Sequence, residues 1–421
     1  MAKLAVLGGK KIRTKKPWPK WPIAGPEEEQ QLREVLQGDI WYGAGPKLEQ
    51  FTQQYAAYHD AKYGVCCVNG SAALEIALSA AGLGAGDEVI TTPFTFVATG
   101  TAILRANCIP VFADIDPVSM NLDVAAAEKA ITPRTRAIMP VHVAGLPPEM
   151  EKFAALAKKH NLRLIYDAAH SWGSFWNGKG VGAYGDFSTV SFQHSKNITA
   201  GEGGFIMTCD EALGDAAWSY VNVGRARKGA WYEHFVPGSN YRLSEFQAAI
   251  LLAQLGRLKA QTAQRMQAAD WLNAKLAGID GITPAPDDKR ARPRSWHLFI
   301  IRYDASKWEG LPRERFMKAI QAEGAPFGDV WPLLYRMPLF AKHPRDGAKG
   351  CPLTCPFHAG APVQDYGSLR LPESEKLSYA QGLWAGQNML LAGTSDLQDV
   401  VDAITKVREN LDELLAAKTL A

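Results

Sequence analysis

The feature that most constrains this chain is an alternation, sustained from about residue 60 to about residue 210, between short apolar runs and Ala-rich helical stretches. Seven runs read as strands: Gly64–Val68, Glu88–Thr92, Val111–Asp114, Ala137–Val143, Arg163–Tyr166, Ser188–Phe192 and Gly204–Thr208. Between them, segments such as Ala72–Ala81 and Met150–His160 carry apolar residues at i, i+3 and i+4, the period of a helix with one buried face. Parallel neighbours need crossover connections, so the pattern predicts an α/β unit, a mostly parallel seven-stranded sheet between helices. A longer helical period, Ser244 to Ala277, follows. Beyond it a strand-like Trp296–Asp304, a helix over Arg313–Glu323, a Pro-rich stretch and an amphipathic helix over Asp396–Leu415 predict a smaller α+β domain. The implied division is an N-terminal arm, 1–25, packing on the small domain; a large domain, 26–255; and the small domain, 256–421.

Composition removes several function classes. With 46 Lys+Arg against 43 Asp+Glu, the chain has no general field for drawing in nucleic acid. Its two basic runs are short: Lys10, Lys11, Arg13, Lys15 and Lys16, then Lys289, Arg290, Arg292 and Arg294. Both read as solvated, one as an arm and one as a loop. No apolar stretch reaches the ~18 residues of a bilayer span, and the first residues lack the order of a secretory signal. A cytoplasmic protein with reduced thiols at its 6 Cys is therefore expected.

Among candidate motifs, Gly82-Leu-Gly84-Ala-Gly86 resembles a dinucleotide fingerprint but precedes a strand instead of following one, so a helix end and turn explain it better. Neither GxxxxGK[ST] nor GxSxG occurs. Cys351, Cys355 and His358, with His343 nearby, offer zinc-type ligands without the paired CxxC spacing, and no metal is expected. Asn69-Gly70-Ser71-Ala72 is more telling. It follows one strand and opens a helix, whose uncapped N–H groups and positive dipole end suit a phosphate, although Ser71 could equally be a simple cap. Asp167, in Tyr166-Asp167-Ala168-Ala169-His170, stands at the carboxyl end of a strand, where open α/β sheets place ligands; alone, it could be structural. Lys196 lies between the strand ending at Phe192 and the glycine-rich Thr199–Gly204, a place where partial burial lowers an amine's pKa and readies it for a carbonyl. Phosphate cup, strand-end acid and loop amine together match the three contacts that pyridoxal phosphate requires.

The segments NGSAALEIAL, GDEVITTPFTFVAT, MPVHVAG, DAAHSWGS, SFQHSKNITAGEGG and NYRLSEFQAAI, in this order, resemble the DegT/DnrJ/EryC1/StrS family over nearly the whole chain. The nearest likeness is to its glutamine:scyllo-inosose aminotransferase and 3-amino-5-hydroxybenzoate synthase branch. The resemblance implies a fold-type I transferase that uses pyridoxal phosphate, and pyridoxamine phosphate in its second half-reaction, to move an amino group from glutamine or glutamate to a cyclitol or keto-sugar ketone. It implies Lys196 as the lysine that holds the cofactor and Asp167 as partner of the ring nitrogen. Phe96 would stack on the ring, Gly70, Ser71, the N–H of Ala72 and Ser191 would anchor the phosphate, and His170 would lie at the ring's edge. Asn240, Tyr241 and Arg242 would reach the phosphate and substrate of a neighbouring subunit, Asn240 at its cofactor, which makes a homodimer with shared sites, and Trp331 and Tyr335 would also face substrate. Rival readings are the branch's dehydrating and aromatising reaction, a sugar dehydratase, in which histidine replaces the lysine, and a non-catalytic cofactor binder.

Overall fold

Side-chain alternation along the strands explains the architecture. In a computed structural model that describes residues 3–14, 16–341, 352–353 and 364–419, the seven strands are β1 (Tyr63–Cys67), β2 (Glu88–Thr91), β3 (Ile109–Phe112), β4 (Thr135–Met139), β5 (Arg163–Asp167), β6 (Phe187–Ser191) and β7 (Gly204–Thr208). They form one sheet in the order β1-β7-β6-β5-β4-β2-β3, in which β7 alone runs against its neighbours. Val65, Val89, Ala137, Ile165 and Ile206 enter one apolar cluster with the helix α1 (Gly70–Ala80), while Ile90, Ile138, Leu164 and Tyr166 enter another, with Met150 and Phe153. Successive residues thus face opposite helix layers, as a doubly covered sheet requires. This is the fold-type I α/β architecture.

Two strands differ from expectation by more than one residue at their ends. β3 starts at Ile109 because Pro110, which disfavours an interior strand, sits on the sheet's edge. It stops before Asp114, whose carboxylate takes the N–H groups of Glu373 and Ser374. β4 closes at Met139, before Pro140.

The long helix α2 (Glu245–Leu276) begins where Ser244 and Gln247 cap one another and passes through the 255/256 boundary suggested by sequence. Beyond it lies a four-stranded antiparallel sheet: β8 (Ile282–Thr283), β9 (Leu298–Tyr303), β10 (Gly328–Asp329) and β11 (Gly382–Gly386), ordered β8-β9-β11-β10. Phe299 and Ile301 pack there against Phe316 and Ile320 of the helix Arg313–Glu323 and Val400 and Ile404 of the helix Thr394–Glu409. The expected last helix is two, because Asn410 leaves helical geometry (φ −116°) before Leu411–Ala416.

Both basic runs are less solvated than sequence suggests. Arg13 is buried between Asp396 and Asp399, and Leu4 and Val6 belong to the small sheet's core. Arg294 is buried over the Trp296 ring, 3.6 Å from its centroid, while Arg290 and Arg292 pair with Glu149, Asp288, Asp270 and Asp287. Lys15, Cys351, Cys355, His358 and His343 lie outside the described residues. Cys66, Cys67, Cys108 and Cys209 are free thiols. Among the described residues no helix is long and apolar enough to cross a membrane, and no group of acids, histidines and thiols is arranged to hold a metal ion.

Candidate active site

At the carboxyl ends of β1, β5 and β6 the chain leaves a cavity of about 640 Å³, within the range of small-molecule sites. Gly70, Ser71, Phe96, Asp167, His170, Ser191, Lys196 and Trp331 all border it, so residues far apart in sequence converge. Thr95, Gln193, Glu202, His297 and Trp384 border it too.

The cup at the start of α1 depends on a glycine. A Cβ on Gly70 would stand 2.6 Å from the Cβ of Ser191, so only glycine allows helix start and strand end to approach. The cap is Asn69, whose Oδ1 accepts the Ala72 N–H at 2.8 Å. Ser71 is therefore free of capping duty and exposed toward the cavity. The Ala72 N–H, expected to face a phosphate, is already taken, which leaves the first-turn N–H groups of Gly70 and Ser71 for that purpose.

Asp167 ends β5 with 5% of its surface exposed and, among the described residues, no ion pair. Thr99 Oγ1 donates to its Oδ2 at 2.7 Å and the Ala169 N–H to its Oδ1 at 3.1 Å. Thr99's proton being committed there, its oxygen receives the hydroxyl of Thr95, 2.9 Å away. Burial raises the Asp167 pKa, against the pull of Thr99, of the Ala169 N–H and of the Lys196 charge. A buried carboxylate with no ion pair is matched by a ligand with a protonated ring nitrogen.

Lys196 follows β6 in the turn before β7, with its Nζ 5.6 Å from the Trp172 ring centroid. Burial lowers its pKa to about 8, opposed by Asp167, so the reactive neutral amine is accessible near neutral pH. Phe96 is 56% exposed, an open aromatic face on the cavity where a core phenylalanine would be covered. His170 packs at 5.5 Å and 13° against Trp331, which meets Trp384 edge-on at 4.5 Å. His170 Nδ1 is buried without a partner among the described residues, and burial, followed by the charge of Lys196, keeps the ring neutral.

Tyr335 does not border the cavity; it is buried, and its hydroxyl donates to Glu375 at 2.7 Å. Asn240, Tyr241 and Arg242 also lie away from it: Asn240 is exposed, and Arg242 borders a separate cleft with Trp218. In the stretch of chain just before Asn240, Trp231, Tyr232 and Phe235 expose 76, 74 and 65% of their surfaces. Sequence reading misses Thr99 and His297. Thr99 lies three residues after Phe96 in PFTFVAT, yet only the fold shows that it meets Asp167; His297 sits in an apolar run whose strand signal hides it.

Comparison with known proteins agrees with this geometry. The profile of the DegT/DnrJ/EryC1/StrS aminotransferase family matches residues 22–361. A Micromonospora echinospora protein provisionally named an L-glutamine:3-amino-2,3-dideoxy-scyllo-inosose aminotransferase is 39% identical over 428 aligned positions, covering 98% of each chain. The 3-amino-5-hydroxybenzoate synthase of Amycolatopsis mediterranei is 34% identical, covering 92% of this chain and 96% of its own. Among solved structures, the crystal structure of 3-amino-5-hydroxybenzoic acid synthase superposes with a TM-score of 0.83 at 33% identity, covering 97% of this chain and 100% of the other. An aminotransferase from Psychrobacter cryohalolentis gives a TM-score of 0.80 at 27% identity, covering 94% and 100%. This chain belongs to the DegT/DnrJ/EryC1/StrS aminotransferase family.

Proposed function

We propose that this aminotransferase works with pyridoxal phosphate and moves an amino group from glutamine or glutamate to the ketone of a scyllo-inosose-like cyclitol or a keto-sugar, in a cytoplasmic homodimer with shared sites. The observation that carries the reading is that Lys196 and Asp167 border one cavity, the amine eased toward neutrality and the acid buried without an ion pair among the described residues. The orphaned His170 Nδ1 and the glycine-dependent cup at Ser191 fit the same group. Relatives named for glutamine and inososes support donor and acceptor.

When bound, the cofactor supplies an aldehyde that captures amines and an electron-poor ring that holds the charge released at the donor's α-carbon. Gly70, Ser71 and Ser191 would hold its phosphate, and Asp167 would keep its ring nitrogen protonated. Phe96 would cover one ring face, and His170 would stand at the edge. With that group bound, Lys196 Nζ would take the proton from the donor's α-carbon in one half-reaction and would return one to the carbon that receives the amine in the other. The two halves alternate, one substrate leaving before the next enters.

The test is a panel of ring ketones, scyllo-inosose first, incubated with purified holoenzyme and glutamine and assayed for the product amine. Transfer to at least one cyclitol or keto-sugar is expected. Lys196→Ala should carry no covalently held cofactor by mass spectrometry and lose about 10²–10⁴-fold in rate. A spectrum unmoved by any amino donor would sink the reading.

A further inference from the structure

His297 precedes β9 and reaches the cavity from the small sheet's side. Its neighbours fix its protonation. Asn197 Nδ2 donates to the Ser295 carbonyl at 2.7 Å, so Asn197 Oδ1 is the atom that stands 3.0 Å from His297 Nδ1. An amide oxygen only accepts, so Nδ1 carries the proton and Nε2 keeps a bare lone pair. Burial, then the charges of Lys196 and Arg265, oppose protonation of the ring. Among the described residues Nε2 has no hydrogen-bond partner, yet it is not among the buried orphan atoms, so it is open to a ligand.

An open lone pair calls for a donor. A cationic donor is disfavoured, because Lys196 acts on the ring and Arg265, buried with only the neutral Gln387 as hydrogen-bond partner among the described residues, does the same. A neutral hydroxyl meets no such opposition. Trp331 and Trp384 border the same cavity and offer aromatic surface to the C–H face of a ring.

We propose that His297 is a specificity-determining residue whose Nε2 accepts a hydrogen bond from a hydroxyl of the acceptor, beside the carbon that receives the amine, and so selects polyhydroxylated ring ketones. This rests on the aminotransfer reading above. It gives the acceptor's chemical class from the chain's own geometry: a neutral, hydroxylated ring.

The test measures kcat/KM of the holoenzyme, with saturating glutamine, for a polyhydroxylated cyclohexanone and for its analogue lacking the hydroxyl beside the ketone. Wild type should prefer the hydroxylated ketone by about 10- to 100-fold. In His297→Phe that ratio should fall toward one, chiefly through a raised KM for the hydroxylated ketone, and His297→Gln, whose amide oxygen can accept, should restore part of it. The ratio is internal to each variant, so a general loss of activity does not mimic the result, and His297→Leu repeats the test if His297→Phe does not fold. A wild-type enzyme without preference, or a variant that keeps the wild-type ratio while transferring amine, overturns the assignment and leaves the aminotransfer reading standing. Failure of wild type to aminate any ring ketone overturns both.

Discussion

At the scale of single residues, two acid–base groups set the chemistry, and each has a measurable signature. Lys196 is held near pKa about 8 by burial, so it is largely ammonium at lower pH and largely free amine above. Capture of pyridoxal phosphate by the cofactor-free protein should therefore quicken about tenfold per pH unit up to about 8 and then level. Stopped-flow absorbance over that range checks this, and a plateau reached only at the ordinary lysine value of 10.5 would contradict it. Asp167 depends on Thr99, whose hydroxyl gives it a hydrogen bond of 2.7 Å. A bond to a charged acceptor is worth about 1.5–3 kcal/mol. In Thr99→Val the Asp167 pKa should rise. Activity requires the ionised acid and is lost as pH falls through that pKa, so the acid limb of the kcat profile should move to higher pH, with a fall of about 10- to 100-fold near that limb. An unmoved limb with intact folding would remove Thr99 from the mechanism. Lys196 and Asp167 were legible in the sequence because strand-end acid and loop lysine are local signals; Thr99 and His297 were not, because their partners lie far away along the chain.

At the scale of elements, the cup between α1 and β6 works only while the two stay close. Gly70→Ala would set a Cβ against that of Ser191 at 2.6 Å, so the helix start must shift. The dissociation constant for pyridoxal phosphate should rise at least tenfold, on the order of one helix-terminus anion contact or more, while that for pyridoxal, which has no phosphate, should change little. Fluorescence titration distinguishes the two, and equal losses would place the damage elsewhere. All seven strands of the large sheet were readable from apolar runs, because a sheet buried on both faces writes its strands as continuous hydrophobic segments. Their ends were less readable. Pro110 is tolerated at a sheet edge that sequence does not reveal, and Asn410 interrupts a helix whose apolar period continues past it. The Asn69 cap was likewise hidden by Ser71, two residues on, which serves as well on propensity alone.

At the scale of the whole molecule, the segment Asn240–Arg242 lies away from its own chain's cavity, at the foot of the excursion 222–240 that carries the exposed Trp231, Tyr232 and Phe235. A dimer with shared sites gives this segment a use and covers the apolar surface. Mixing Lys196→Ala with Arg242→Ala, each inactive alone, should then restore about a quarter of wild-type specific activity, since half of randomly mixed dimers hold one intact site of two. An assay after joint refolding checks this, and mixtures that stay inactive would argue for self-contained subunits. Within one chain, too, the reaction vessel is assembled from two sources. Asp167, Ser191 and Lys196 come from the large sheet's strand ends and turns, whereas His297, Trp331 and Trp384 come from the stretch around the small one. Neither fragment, expressed alone, would hold a working crucible, and a surgeon looking for a minimal catalytic piece would find none to excise. Exchanging small domains between relatives should, by the same logic, swap what the enzyme recognises without disturbing the groups that break and make its bonds.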